Sequence, residues 1–124
     1  MAITTAGVNL LVSAATGGSP TLFNGSNTRI GVGDSSTAFS AAHTDLQAST
    51  NKLRKLCDSA TPGTGTLVVV ATFGTSDANF AWNEWGVFNA ASSGTMLSRK
   101  VESLGTKTSA QTWVMTTTLT FAAA

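Results

Sequence analysis

"NFAWNEWGVFN" (residues 79–89) sets Phe80, Trp82, Trp85, Val87 and Phe88 around one carboxylate, Glu84. As a strand, it puts Phe80, Trp82 and Glu84 on one face and Asn83, Trp85 and Val87 on the other, because side chains alternate along an extended backbone. Phe88 returns to the Glu84 side. A carboxylate among aromatics has two physical solutions. A β-bulge near Asn83 or Gly86 can turn it outward, since glycine in a strand often marks one. Otherwise it stays buried and paired, because an unpartnered buried charge costs several kcal/mol. Arg99 or Lys100, on the expected neighbouring hairpin strand, and backbone amides are the candidate partners. A catalytic carboxylate would need a second acid, a base or a metal ligand beside it, and the sequence supplies none. The stretch therefore reads as core, comprising Phe80, Trp82, Glu84, Trp85 and Phe88, with Phe88 packed against the terminal strand that carries Trp113.

Strand patterns continue on both sides. "TLVVVATF" (66–73) is β-branched and almost continuously apolar, the pattern of a strand covered on both faces. "QTWVMTTTLTF" (111–121) alternates, with Trp113, Met115, Thr117, Leu119 and Phe121 facing one way and Val114, Thr116, Thr118 and Thr120 the other. Residues 96–103 supply a hairpin strand. Upstream, Asn24-Gly25 marks a tight turn before a strand over 28–32. Residues 52–58 form another candidate strand, after which Pro62, Gly63 and Gly65 break the pattern. Residues 35–48 are polar, with Phe39 and Leu46 as anchors, and "TDLQ" (44–47) resembles the opening of a helical turn. At the N-terminus, Thr4 or Thr5 can cap a short helix whose apolar face would be Val8, Leu11, Val12 and Ala15, ending at Gly17 and Gly18. An extended arm is the rival there. Short strands, tight turns and one terminal helix predict a mainly β fold. We expect a single antiparallel β-sandwich domain over 1–124, with an N-terminal helix or arm over about residues 1–18.

Composition narrows the function classes. Of 124 residues, 42% are hydrophobic and 10% charged, against about 25% charged in an average domain. Thr, Ser, Ala and Gly fill the positions that Lys and Glu normally take. A surface of that kind loses little on being buried against a neighbour, so it suits an assembly. The net charge is +1, without the basic stripe of a nucleic-acid binder. Lys52, Arg54 and Lys55 form the one basic cluster, flanked in sequence by Asp45 and Asp58, and read as a solvated face or an interface ion-pair site rather than a phosphate site. No apolar run reaches the ~18 residues of a membrane span, and the N-terminus lacks the basic start of a signal peptide. Neither nucleic acid nor a membrane is an expected partner.

Chemistry-bearing motifs are sparse. His43 is the one histidine and Cys57 the one cysteine, too few for a zinc or redox centre. "GVGD" (31–34) lacks the third glycine and following helix of a dinucleotide loop, and the Lys-Ser/Thr of a P-loop; it reads as a strand-ending turn. The acidic residues form no Asp-x-Asp calcium loop. No catalytic, cofactor or metal residue is assigned, and a non-enzymatic role without a cofactor is expected.

Three short patterns carry a resemblance. Gly31, Gly33 and Asp34 come first, then Thr44 and Leu46, then Glu84, Trp85, Gly86, Val87 and Phe88, before a hairpin and a Thr-rich alternating strand. The chain resembles tailed-bacteriophage virion proteins that include the N-terminal module of tail-collar fibre proteins, over nearly its whole length. The resemblance implies a structural role in a virion assembled in the host bacterial cytoplasm. Its partners would be other virion proteins, either the major capsid protein or tail components, and the chain would form a homo-oligomer there. A collar fibre continues into a shaft and receptor-binding tip, whereas this chain stops at Phe121-Ala-Ala-Ala. The expectation is thus a module used alone, as a capsid decoration (cement) protein or as a tail, neck or baseplate adaptor anchoring a fibre. A carbohydrate-binding β-sandwich is a third reading; tryptophans inside strand patterns count against it.

Overall fold

The computed structural model describes residues 2–122. One helix, α1 (Thr5–Ala15), precedes seven strands: β1 (Arg29–Gly33), β2 (Lys52–Leu56), β3 (Ser59–Gly63), β4 (Thr66–Phe73), β5 (Ala81–Phe88), β6 (Met96–Thr106) and β7 (Trp113–Thr120). They form a four-stranded sheet in the order β2-β1-β5-β6 and a three-stranded sheet in the order β3-β4-β7. Every strand pairing is antiparallel. The fold is an antiparallel two-sheet sandwich with a short N-terminal helix, as the strand patterns predict.

Between the sheets lies the main core. Ile30, Val32, Val87 and Leu97 come from the four-stranded sheet, and Val69, Ala71, Phe73 and Leu119 from the other. Trp82 meets Phe73 and Trp113 edge to face, with ring centroids 4.7 and 4.9 Å apart, the arrangement aromatic quadrupoles favour. Its indole N–H donates to Ala78 O at 3.0 Å. The β7 alternation is complete: Val114, Thr116, Thr118 and Thr120 are exposed, while Thr117 and Leu119 are buried.

Several elements depart from the sequence reading. β4 is not covered on both faces: Val69, Ala71 and Phe73 are buried, but Val68 and Val70 face outward and are half-buried. β3 forms despite Pro62, because it is an edge strand, where a missing N–H costs no ladder bond. "TDLQ" makes no helical turn; the N–H groups of Gln47 and Ala48 are taken by the side chain of Glu84 instead. In α1, capped by Thr4, the buried face centres on Gly7, where an added Cβ would lie 2.7 Å from Leu97 O. Val8, Leu11 and Val12 are exposed. A glycine lets the helix backbone approach β6 more closely than a valine face would. The residues before the helix are not a free arm. Ile3 bridges to Ser98, Arg99 N donates to Ala2 O and Thr4 N to Leu97 O.

Candidate functional site

The face of the four-stranded sheet turned away from the inter-sheet core carries the Glu84 problem and its solution. The β5–β6 register shifts between Trp82 and Glu84, opposite a β6 segment that ends at Gly105, whose φ of 101° suits glycine. Trp82 enters the inter-sheet core. Glu84, Gly86 and Phe88 face the other way, where Phe88 joins Leu46 and Met96 in a second apolar cluster. Phe88 therefore does not pack on the terminal strand as expected; its parity places it on the opposite face of the sheet.

Glu84 and Arg99 are both fully buried, and Arg99 Nε donates to Glu84 Oε1 at 2.8 Å. Gln47 N donates to the same oxygen and Ala48 N to Oε2, each at 2.8 Å. Arg99 Nη2 donates to Thr37 O at 2.9 Å. The register breaks near Asn83 but does not bring the carboxylate to solvent; it stays buried and is paired with a cation and with amides. The pair clasps the irregular segment 34–51 onto the sheet.

The "GVGD" glycines clear the space. Gly31 stands opposite Gly86, and Gly33 opposite Glu84. A Cβ on Gly31 would come within 2.5 Å of the Phe88 ring. One on Gly33 would run into Glu84 Oε2, and one on Gly86 would lie 2.7 Å from Ser98 O. The three motifs of the resemblance, separated in sequence, therefore meet around one carboxylate. Each supplies a different need: space, a segment to hold, and the acceptor that holds it.

The basic trio has partners inside the chain. Lys52 and Arg54 both reach Asp45 at 3.1 Å. Burial alone would raise the Asp45 pKa, but hydrogen bonds from Lys52 and Arg54 outweigh it and hold the carboxyl below its ordinary range. Arg54 also stacks 3.8 Å above the Phe88 ring and donates to Ala90 O and Ser93 O. Lys55 pairs with Asp77 at 2.9 Å. That bond, with Gly74 N, keeps Asp77 low as well. Arg54 serves the same clasp, tying β2 to the segment and to the β5–β6 loop.

Sequence reasoning missed Lys107, which is 1% exposed. Its Nζ donates to Gly74 O and Asn79 Oδ1 at 2.6 and 2.8 Å, fastening the β6–β7 loop to the β4–β5 turn. Nothing in "GTKTSA" distinguishes this lysine from a solvated one. His43 accepts from Ser40 N at 3.2 Å and meets Phe39 edge to face. Cys57 is buried, and burial pushes its thiol pKa up.

Where the sandwich opens between β6 and β7 there is a cleft of about 530 Å³, bordered by Trp85, Glu102, Leu104, Trp113, Val114 and Met115. Trp85 and Trp113 are half-buried and pack on the inter-sheet core, as does Phe80. Glu102 is engaged by Lys100 at 3.0 Å and by the Trp85 indole at 3.4 Å. These bonds, Lys100 first, hold its carboxyl below the ordinary range. Among the described residues, no group of three or more His, Cys, Asp or Glu side chains could hold a metal ion. No helix among them is long and apolar enough to cross a membrane. Comparison with models of known protein families and with curated protein sequences gives no match.

Proposed function

We propose that this chain is a structural component of a tailed-bacteriophage virion, seated on a neighbouring virion protein through the outer face of α1. The observation that carries this reading is the α1 surface. Val8, Leu11 and Val12 are 46, 36 and 55% exposed and lie at the three- and four-residue spacing of one helical face. No charged residue occurs before Arg29, so nothing charged on the helix opposes burial of that stripe. Unpartnered apolar stripes on an ordered helix mark interaction sites. The motif resemblance gives the setting. The convergence of its three patterns on the Glu84–Arg99 clasp supports reading them as the signature of a scaffold rather than of a reaction.

Within that setting we favour capsid decoration. A weakly charged, compact sandwich with one apolar docking stripe suits many equivalent copies on a lattice. A tail, neck or baseplate adaptor is the second reading. Copy number separates them by quantitative gel of purified virions: hundreds of copies per particle indicate decoration, a few to a few dozen an adaptor. In the same preparation, a Val8→Asp/Val12→Asp variant should fold as wild type yet be lost from particles. Incorporation at the wild-type level would refute the stripe as the seat, and absence of the wild-type chain from purified virions would refute the virion reading itself.

A further inference from the structure

A sandwich of two open sheets has four edges, and three of them are blunted. β2 carries Lys52 and Lys55, partly exposed and each held in an ion pair, so a second β2 beside it would have to bury charged side chains. β3 is short and contains Pro62. β6 is covered near its start by the bridge from Ile3 to Ser98, and further along it carries Lys100, Glu102 and the register break. Charge, proline and irregularity are the usual protections against edge pairing. β7 has none of these. It pairs with β4 in unbroken register from Trp113 to Thr120, and no charged residue occurs after Lys107.

The direction of its free hydrogen-bonding groups follows from the ladder. Phe121 N donates to Gly65 O at 2.8 Å. In an antiparallel pair, residues facing the partner recur every second position. Leu119, Thr117, Met115 and Trp113 therefore direct their N–H and C=O groups at β4. Val114, Thr116, Thr118 and Thr120 direct theirs outward, and all four are exposed. Val114 at 62% and Leu104 at 38% also leave apolar surface along this side of the sandwich.

We propose that β7 pairs antiparallel with β7 of a second copy of this chain, joining two three-stranded sheets into one continuous sheet. A second copy is the occupant because the strand is complementary to itself. It is uncharged, so self-pairing sets no like charges together, and it offers β-branched side chains that favour one another across strands. Placing the two-fold axis at Thr117 sets Val114 opposite Thr120 of the second copy and Thr116 opposite its Thr118, which uses every outward residue of the strand. The contact is isologous and closes at two copies. It goes beyond the virion reading and does not depend on it.

Sedimentation velocity on the full chain, from low micromolar to near-millimolar concentration, should show a monomer–dimer equilibrium. Amide exchange should separate the two states. In the monomer Val114, Thr116, Thr118 and Thr120 exchange freely; in the dimer each slows by more than about tenfold, as hydrogen-bonded amides do, while the β4-facing amides stay protected throughout. Thr118→Pro removes an outward N–H without touching the β4 ladder and should give a monomer with unchanged circular dichroism. Thr116→Lys/Thr118→Lys, which opposes lysines across the axis, should do the same should the proline variant fail to fold. A monomer at all concentrations, reserving the edge for a different strand, would overturn the proposal. So would a dimer that survives both variants or leaves the outward amides unprotected, and so would growth into filaments.

Discussion

Replacing Arg99 by Met keeps the unbranched stem out to the level of Nε and removes the guanidinium with its charge. Glu84 would keep the amides of Gln47 and Ala48 but lose its counter-charge at zero exposure, and Thr37 O would lose its donor. Removing one partner of a buried pair costs about 3–5 kcal/mol, a large part of the ~5–15 kcal/mol that holds a domain together. Glu84→Leu should cost a similar amount, so two independent losses would sum to about 6–10 kcal/mol. The double variant should fall well short of that sum. With both charges gone, the main remaining cost is the buried Ala48 amide and the Gln47 amide, at about 1–3 kcal/mol for each left without an acceptor. Taking midpoints, an interaction of about 4 kcal/mol between the two positions follows, at or just above the upper end for residues in one network.

Urea unfolding followed by the fluorescence of Trp82, Trp85 and Trp113 measures all four corners of this cycle. Hydrogen exchange adds a local readout, since Glu84→Leu should selectively deprotect the amide of Ala48, whose acceptor it removes. An Arg99→Met variant within about 0.5 kcal/mol of wild type, the range of an inconsequential surface change, would refute the clasp. So would a double variant whose cost equals the sum of the singles, or undiminished protection at Ala48.

Trp82→Ala should cost about 3–5 kcal/mol, because it empties the site between Phe73 and Trp113; thermal unfolding checks it. Gly33→Ala should destabilise by about 1–3 kcal/mol, as overpacking does, by pushing a methyl group onto Glu84; the same substitution in the Glu84→Leu background gives the coupling. Acid should destabilise the chain through Asp45 and Asp77. Both pKa values are depressed in the fold, so their contribution is complete above the ordinary carboxyl value of about 3.9 and is lost as pH falls through the lower folded values. In denaturation midpoints measured between about pH 5 and pH 2, Asp45→Asn and Asp77→Asn should each flatten the acid limb. Deleting residues 2–5 should lower the melting temperature, because it removes the helix cap Thr4 and the bridge from Ile3 to β6; unchanged melting would show that this pairing contributes nothing.

The strands with a local pattern were legible. β7 alternates because one face is core and the other is not, and period two records that directly. β4 misled because a run of valines carries no phase: Val69 is buried while Val68 and Val70 face outward. For Glu84 the sequence was informative in kind and silent in place. The cost of a buried charge required a partner, and Arg99 was within reach of the expected hairpin. That Phe88 would share its face with Leu46 rather than Trp113 depended on a register break, which composition does not announce. The helix formed where its cap and spacing placed it, but its buried face differs for a related reason. Spacing identifies an apolar stripe but not what covers it, and here Gly7 sets the packing while Val8 and Val12 remain exposed. Lys107 had no signal at all; its partners, Gly74 and Asn79, come from another turn of the chain.

The segment 34–51 shows why the sheet needs a charge on its outer face. A loop of this length without helix or strand is uncommon in a compact domain, since its backbone amides have no ladder to join and cannot be buried unpaired. Leu46 resting on Phe88 and Met96 anchors it by apolar contact, but such contact is non-directional and would accept the segment shifted by a residue. Two carboxylate oxygens receiving two successive amides do not. A shift by one position would leave an amide and a charge unmatched, at a cost comparable to the loss of a buried hydrogen bond to an ion. Arg99 then fixes the segment at a second point, Thr37 O, and Arg54 closes over the Phe88 ring beside it. The glycines at 31 and 33 belong to the same device, because the carboxylate and the ring must lie flat on the sheet to reach the segment. A buried ion pair is a weak source of stability. Here it selects one placement of an irregular segment, and so gives the outer face of the sheet one defined shape.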